Sequence, residues 1–136
     1  MSEENSHVSV KPSESVSKEA EKRVESKSGR KGEPEFHLTE QMRRLSTPWG
    51  IALARARQID PGSLGPGIIL DAAVGSGLQL IAYSSVLKRP SLGVEIDGNV
   101  AVLCAANMFS VAGKDDIQRS MDLSLIHISE PTRRYA

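Results

Sequence analysis

Asp71 and Glu95 are the two residues whose type and placement point to chemistry. Each ends a short apolar run, Ile68-Ile69-Leu70 before Asp71 and Leu92-Gly93-Val94 before Glu95. Between them lie a small turn, Ala72-Ala73-Val74-Gly75-Ser76-Gly77, and a stretch with helical spacing of apolar residues. Strand, glycine turn, helix, strand and terminal acid make a parallel βαβ unit suited to a nucleotide-like ligand. A carboxylate at Glu95 can accept both hydroxyls of a ribose. One at Asp71 attracts an ammonium. The backbone from Ala73 to Gly77 can be approached closely, because no large side chain intervenes.

Three ligand chemistries use such a turn. A phosphate-binding P-loop needs Gly-Lys-Ser/Thr, and Gly77-Leu78-Gln79 lacks it. A dinucleotide fingerprint needs a third glycine where Leu80 stands, and Asp71 would repel the pyrophosphate. The third is a ligand with an amino acid at one end and an adenosine at the other. Its ammonium suits Asp71, its ribose suits Glu95, and Ile96 is placed to pack on the adenine. S-adenosyl-L-methionine has that constitution.

The remaining elements must position this unit. Residues 1–35 are rich in Ser, Glu, Lys and Arg, with few apolar residues, so the composition predicts a disordered charged tail. Within it, Ser15 to Lys27 has some helical tendency. Order is predicted from Phe36, with helical spacing over Leu38 to Leu45. Thr47 is the expected N-cap and Pro48 the first residue of a helix running to Ile59. Its Trp49, Ala52, Leu53 and Ala56 face is expected to cover the sheet. The continuous apolar run Gly67 to Leu70 predicts a strand buried on both faces. A helix over Leu78 to Leu87, a strand over Leu92 to Ile96 and a helix over Asn99 to Ala112, capped by Asp97, follow in order. A third strand is expected to start at Ile117.

With 136 residues and 17 basic against 17 acidic side chains, the chain is one domain at most and no strongly basic nucleic-acid binder. One cysteine, Cys104, excludes an internal disulfide and reads as a small core residue. No apolar stretch is long enough to span a membrane and no signal-peptide core is present, so the sequence predicts a soluble, cytoplasmic protein. No metal site is expected.

The motifs resemble those of the class I S-adenosylmethionine-dependent methyltransferases. Leu70-Asp71-Ala72-Ala73-Val74-Gly75-Ser76-Gly77 is similar to their first motif, and Leu92-Gly93-Val94-Glu95-Ile96-Asp97 to their second. Ala105-Ala106-Asn107, with Ala112-Gly113 and Asp116-Ile117, resembles a run common after the second. The D-x-x-x-G-S-G form and Ser46-Thr47-Pro48 are similar to the RNA methylase branches. The resemblance implies an α/β, Rossmann-like half sheet in the order 3-2-1 over residues 36–122. It also implies S-adenosyl-L-methionine as cofactor, with Asp71, Ala73, Gly75, Gly77, Glu95 and Ile96 as its contacts, and RNA as the substrate class. It departs at Ala73, where many members carry Gly.

Leu123 to Arg133, Leu-Ser-Leu-Ile-His-Ile-Ser-Glu-Pro-Thr-Arg, resembles translated sequencing-adapter read-through. Residues 123–136 are therefore expected to be a non-native tail; the other reading, from the strand-like Leu123 to Ile128, is a native strand. The family's catalytic Asp/Asn-Pro-Pro-aromatic tetrapeptide does not occur, so no catalytic residue is assigned. The expectation is an inactive methyltransferase fragment. The alternatives are a non-catalytic S-adenosylmethionine-binding or interaction module, and a methyltransferase acting on DNA or a small molecule.

Overall fold

The structure is a computed structural model that describes residues 7–10, 13–23, 26–28, 34–112 and 123–128. It is a mixed α/β arrangement whose centre is a small parallel sheet. Strands β4 (Ile69–Asp71), β5 (Ser91–Glu95) and β6 (Leu123–Ile128) run parallel, and β1 (His7–Val10) adds antiparallel to β6, giving the order β1-β6-β5-β4. A separate antiparallel pair joins β2 (Ser26–Ser28) to β3 (Phe36–Leu38). The helices are α1 (Glu14–Glu21), α2 (Glu40–Leu45), α3 (Trp49–Arg57), α4 (Leu78–Leu87) and α5 (Gly98–Ala112).

Register divides the sheet into two unlike faces. Leu70, Leu92 and Ser124 stand in one row, with Val94 opposite Ile126 on the same face. Ile69 with Ser91, and Gly93 with Leu125, share the other. Successive right-handed crossovers in one direction put α4 and α5 on the same side. That side is the covered one: Ser91, Gly93 and Leu125 are buried there, beneath Leu80, Ile81, Leu103 and Met108. On the opposite face Leu92, Val94 and Ile126 are half-buried and Leu70 is 61% exposed. The expected burial of the first strand on both faces is therefore not observed. That strand lies at the edge of the sheet, where fewer neighbours can cover it.

The βαβ unit follows its predicted layout to within a residue, except that its first strand starts at Ile69, two residues after the expected Gly67. α4 ends where Lys88 takes a left-handed φ of 53°, and Asp97 caps α5 by accepting the N–H groups of Asn99 (2.9 Å) and Val100 (3.3 Å). The N-terminal part differs more. Three pieces of the segment expected to be disordered are regular: β1, α1 and β2. α1 is capped by Ser13, and its Ala20 is fully buried where the helix packs on α5. Tertiary contact thus orders a helix that its composition alone would not.

Further on, Leu38 belongs to β3 rather than to the helix, which Thr39 starts by accepting the Met42 N–H at 3.1 Å. Pro48, not Thr47, occupies the N-cap of α3, with no side-chain cap bond. The α3 face bearing Ala52 and Ala56 packs against α4 instead of the sheet. Phe36 and Trp49 pack with their rings tilted at 47° and their centroids 5.2 Å apart, and tie β3 to α3.

The expected strand start at Ile117 lies outside the described residues. The third parallel strand is Leu123–Ile128, the stretch that resembles adapter sequence, with Leu125 wholly buried. Its alternating, β-branched character suffices for the pairing. Residues 129–136 lie outside the described part.

The contrast between the two faces is testable. Leu125→Ala should cost about 3 kcal/mol, as for a fully buried leucine, and Leu70→Ala well under about 1 kcal/mol. Chemical denaturation giving equal losses for the two would contradict the placement of β6 in the core.

Candidate functional site

The glycine turn sits on β5 because β5 leaves room for it. A Cβ at Gly93 would come within 2.8 Å of the Val74 side chain, and Val74 donates its N–H to the Val94 carbonyl at 3.0 Å. Two residues of the turn adopt left-handed backbone, Gly75 (φ 57°) and Gly77 (φ 87°), which a side chain would strain. Gly77 is fixed a second way, since its Cβ would fall 2.7 Å from Cys104 Sγ on α5. Ala73, the departure from the family pattern, has no positive φ, so its methyl is tolerated.

Both acids are oriented by the turn they flank. Asp71 Oδ1 accepts the Ala73 N–H at 3.1 Å, which folds the chain back on itself. Glu95 Oε2 accepts the Gly75 N–H at 2.9 Å and its Oε1 accepts the Asp97 N–H at 3.3 Å. Each oxygen keeps a further lone pair. The carboxylate is held in place with acceptor capacity to spare.

One cleft of about 460 Å³ brings these groups together. Asp71, Ala73, Gly75, Glu95 and Asp97 form one wall, and Met42, Leu45, Ser46 and Thr47, from the α2–α3 junction, form the other. Ser46 and Ser76 share a hydroxyl hydrogen bond of 3.0 Å that closes the two walls at their base. Three carboxylates line the cleft and, among the described residues, no Lys, Arg or His does. The buried Cys104 thiol reports the same field: burial raises its pKa far above the usual thiol value, and the nearby charges of Glu95 and Asp71 raise it further. Cys104 is therefore a neutral thiol, packed beneath Gly77. The cleft favours a cationic ligand and disfavours a phosphate.

Of the six residues singled out from the sequence, Asp71, Ala73, Gly75 and Glu95 line this cleft. Gly77 is buried behind it against Cys104 and acts through packing. Ile96 is 50% exposed and is not among the residues that form the wall.

Sequence reasoning did not foresee what Asn107 does. Its side chain, wholly buried on α5, accepts the His37 N–H and donates to the carbonyls of His37 (3.1 Å) and Ser76 (2.8 Å). A polar residue amid Leu103, Cys104 and Met108 on a buried face was the available signal. Both ring nitrogens of the buried His37 make no hydrogen bond among the described residues. No described helix is long and apolar enough to cross a membrane, and no group of three His, Cys, Asp or Glu capable of holding a metal occurs among the described residues.

Comparison with known proteins returns nothing: no family profile matches, and no curated protein or solved structure is similar at a significant level.

Gly77 and Cys104 should be energetically coupled. Gly77→Ala combines left-handed strain with overpacking, together about 2–4 kcal/mol. In a Cys104→Ala background the overpacking part should disappear, leaving about 1–2 kcal/mol. Strictly additive losses in a double-mutant cycle would show that the two do not touch.

Proposed function

We propose that the chain binds S-adenosyl-L-methionine in the Asp71–Glu95 cleft, as the cofactor-binding part of a class I methyltransferase with RNA as its substrate class. The observation that carries this reading is an acidic cleft, without a lining cation among the described residues, in which Glu95 is held by the Gly75 and Asp97 amides at the end of a strand. The donor set fits the cofactor. Glu95 offers free lone pairs to two vicinal hydroxyls, Asp71 and Asp97 offer charge to an ammonium or sulfonium, and the turn beside Gly75 has no side chain in the way. Space beside Gly75 is open, so a ligand can approach the backbone there.

When bound, the cofactor supplies an electrophilic methyl group on a cationic sulfur. The residues of this chain bind and orient it. Glu95 would hold the ribose through its two hydroxyls, and so would position the adenosyl part of the cofactor in the cleft. The carboxylates would attract its positive charge, and the Ser46–Ser76 bond joins the opposing wall to the glycine turn. No described residue is assigned to proton transfer. The RNA assignment rests on the likeness of Asp71 to Gly77, and of Ser46-Thr47-Pro48, to the RNA methylase branches.

Titration calorimetry with S-adenosyl-L-methionine and with S-adenosylhomocysteine tests the reading. Both should bind, and Glu95→Ala should weaken binding by on the order of 2–3 kcal/mol, a drop of about 30-fold or more. Absence of binding to the folded wild-type chain, or unchanged affinity in the variant, would sink the proposal.

A further inference from the structure

A continuous line of hydrogen bonds runs from the N-terminal helix into the cleft. Arg23, the residue after the C-cap of α1, donates through its guanidinium to Glu19 of α1 and to Asn99 Oδ1 (3.0 Å) in the first turn of α5. Asn99 donates its own N–H to Asp97 Oδ1 at 2.9 Å, and Asp97 donates to Glu95 Oε1 at 3.3 Å. Glu95 Oε2 in turn accepts from Gly75 at 2.9 Å. Asp97, Glu95 and Gly75 line the cleft; Arg23 and Asn99 do not. The stability of α5 does not account for Arg23, since a cation beside a helix N-terminus opposes the macrodipole. What the contact does is grip the turn that frays most readily, because the first N–H groups of a helix have no intrahelical acceptors. In α5, the Asn99 and Val100 N–H groups are met by Asp97. Asp97 therefore keeps its place in the cleft wall while that turn stays wound, and Arg23 holds the turn from 76 residues away in the chain.

We propose that α1 and Arg23 form a clamp within the chain that keeps the start of α5 wound and so positions Asp97 and Glu95 for the ligand. Arg23 is a positioning residue in this account, acting through Asn99. Ala20, fully buried where α1 packs on α5, anchors the clamp to the helix it holds. This role presupposes the reading of the cleft as a site for S-adenosyl-L-methionine. Positioning and simple charge act in opposite directions here. Losing a guanidinium from the neighbourhood of three carboxylates leaves the cleft more negative, which tightens a cationic ligand. Losing a positioning contact weakens it. By linkage, the cofactor must also favour docking of α1 on α5 by the same factor that α1 improves the cofactor site.

Calorimetry with S-adenosyl-L-methionine on the whole chain tests the clamp. Arg23→Ala should weaken binding about threefold, the scale of a solvent-exposed charged contact. Asn99→Ala should weaken it by a similar factor, and the double variant by no more than either alone, since both remove one contact. As a separate readout, saturating cofactor should slow tryptic cleavage after Lys22 and Arg23 in the wild-type chain. Unchanged or tighter binding by Arg23→Ala, additive losses in the double variant, or a cleavage rate that cofactor leaves unchanged would each overturn the clamp and leave the cofactor reading standing. A wild-type chain that binds no cofactor would remove both.

Discussion

The Asn107 carboxamide is the contact on which the rest of the arrangement depends. It lies in the apolar interior and uses its oxygen and nitrogen on three backbone groups from two distant segments. With His37 it imitates the paired bonds of an antiparallel ladder, so β3 docks on α5 through a side chain rather than a neighbouring strand. With Ser76 it holds the glycine turn from behind. A buried backbone polar group without a partner costs about 1–3 kcal/mol, and one N–H and two carbonyls are bonded to this one residue.

That anchor explains how the cleft is built before any ligand arrives. The turn is fixed at Ser76 by Asn107, at Val74 by the Val94 carbonyl, and at Gly75 by Glu95. The second wall comes from the α2–α3 junction, which is joined to β3 by Thr39 and to the turn by the Ser46–Ser76 bond. Holding Asp71, Glu95 and Asp97 along one cleft concentrates negative potential where no cation among the described residues answers it. Such a concentration is unfavourable in the empty protein and favourable once a cationic ligand enters, which is how a binding site differs from a stability feature.

Much of the βαβ unit was legible in the sequence because its signals are local. Asp97 caps α5, the glycines carry the positive φ values, and apolar spacing locates α4 and α5. The positions of Asp71 and Glu95 at the cleft were legible too, since each ends an apolar strand run beside the glycine turn. What was not legible depends on long-range contact. Nothing local says that Ala20 finds α5, that α3 packs on α4, or that Leu70 is 61% exposed on the last strand of the sheet among the described residues. The apolar run Ile68 to Leu70 looks the same whether it is central or at an edge. Asn107 was visible as a polar residue on a buried face, but its partners lie 31 and 70 residues away.

The central claim is that Asn107 holds β3 and the glycine turn as one unit, and so sets the geometry of the cleft. Native-state amide hydrogen exchange on Asn107→Ala measures it most directly. The account predicts that the His37 amide and the Gly75 and Gly77 amides lose protection together, while the Asn99 to Ala101 cap of α5 keeps its own. Loss of protection at His37 alone, with the turn amides unchanged, would contradict it.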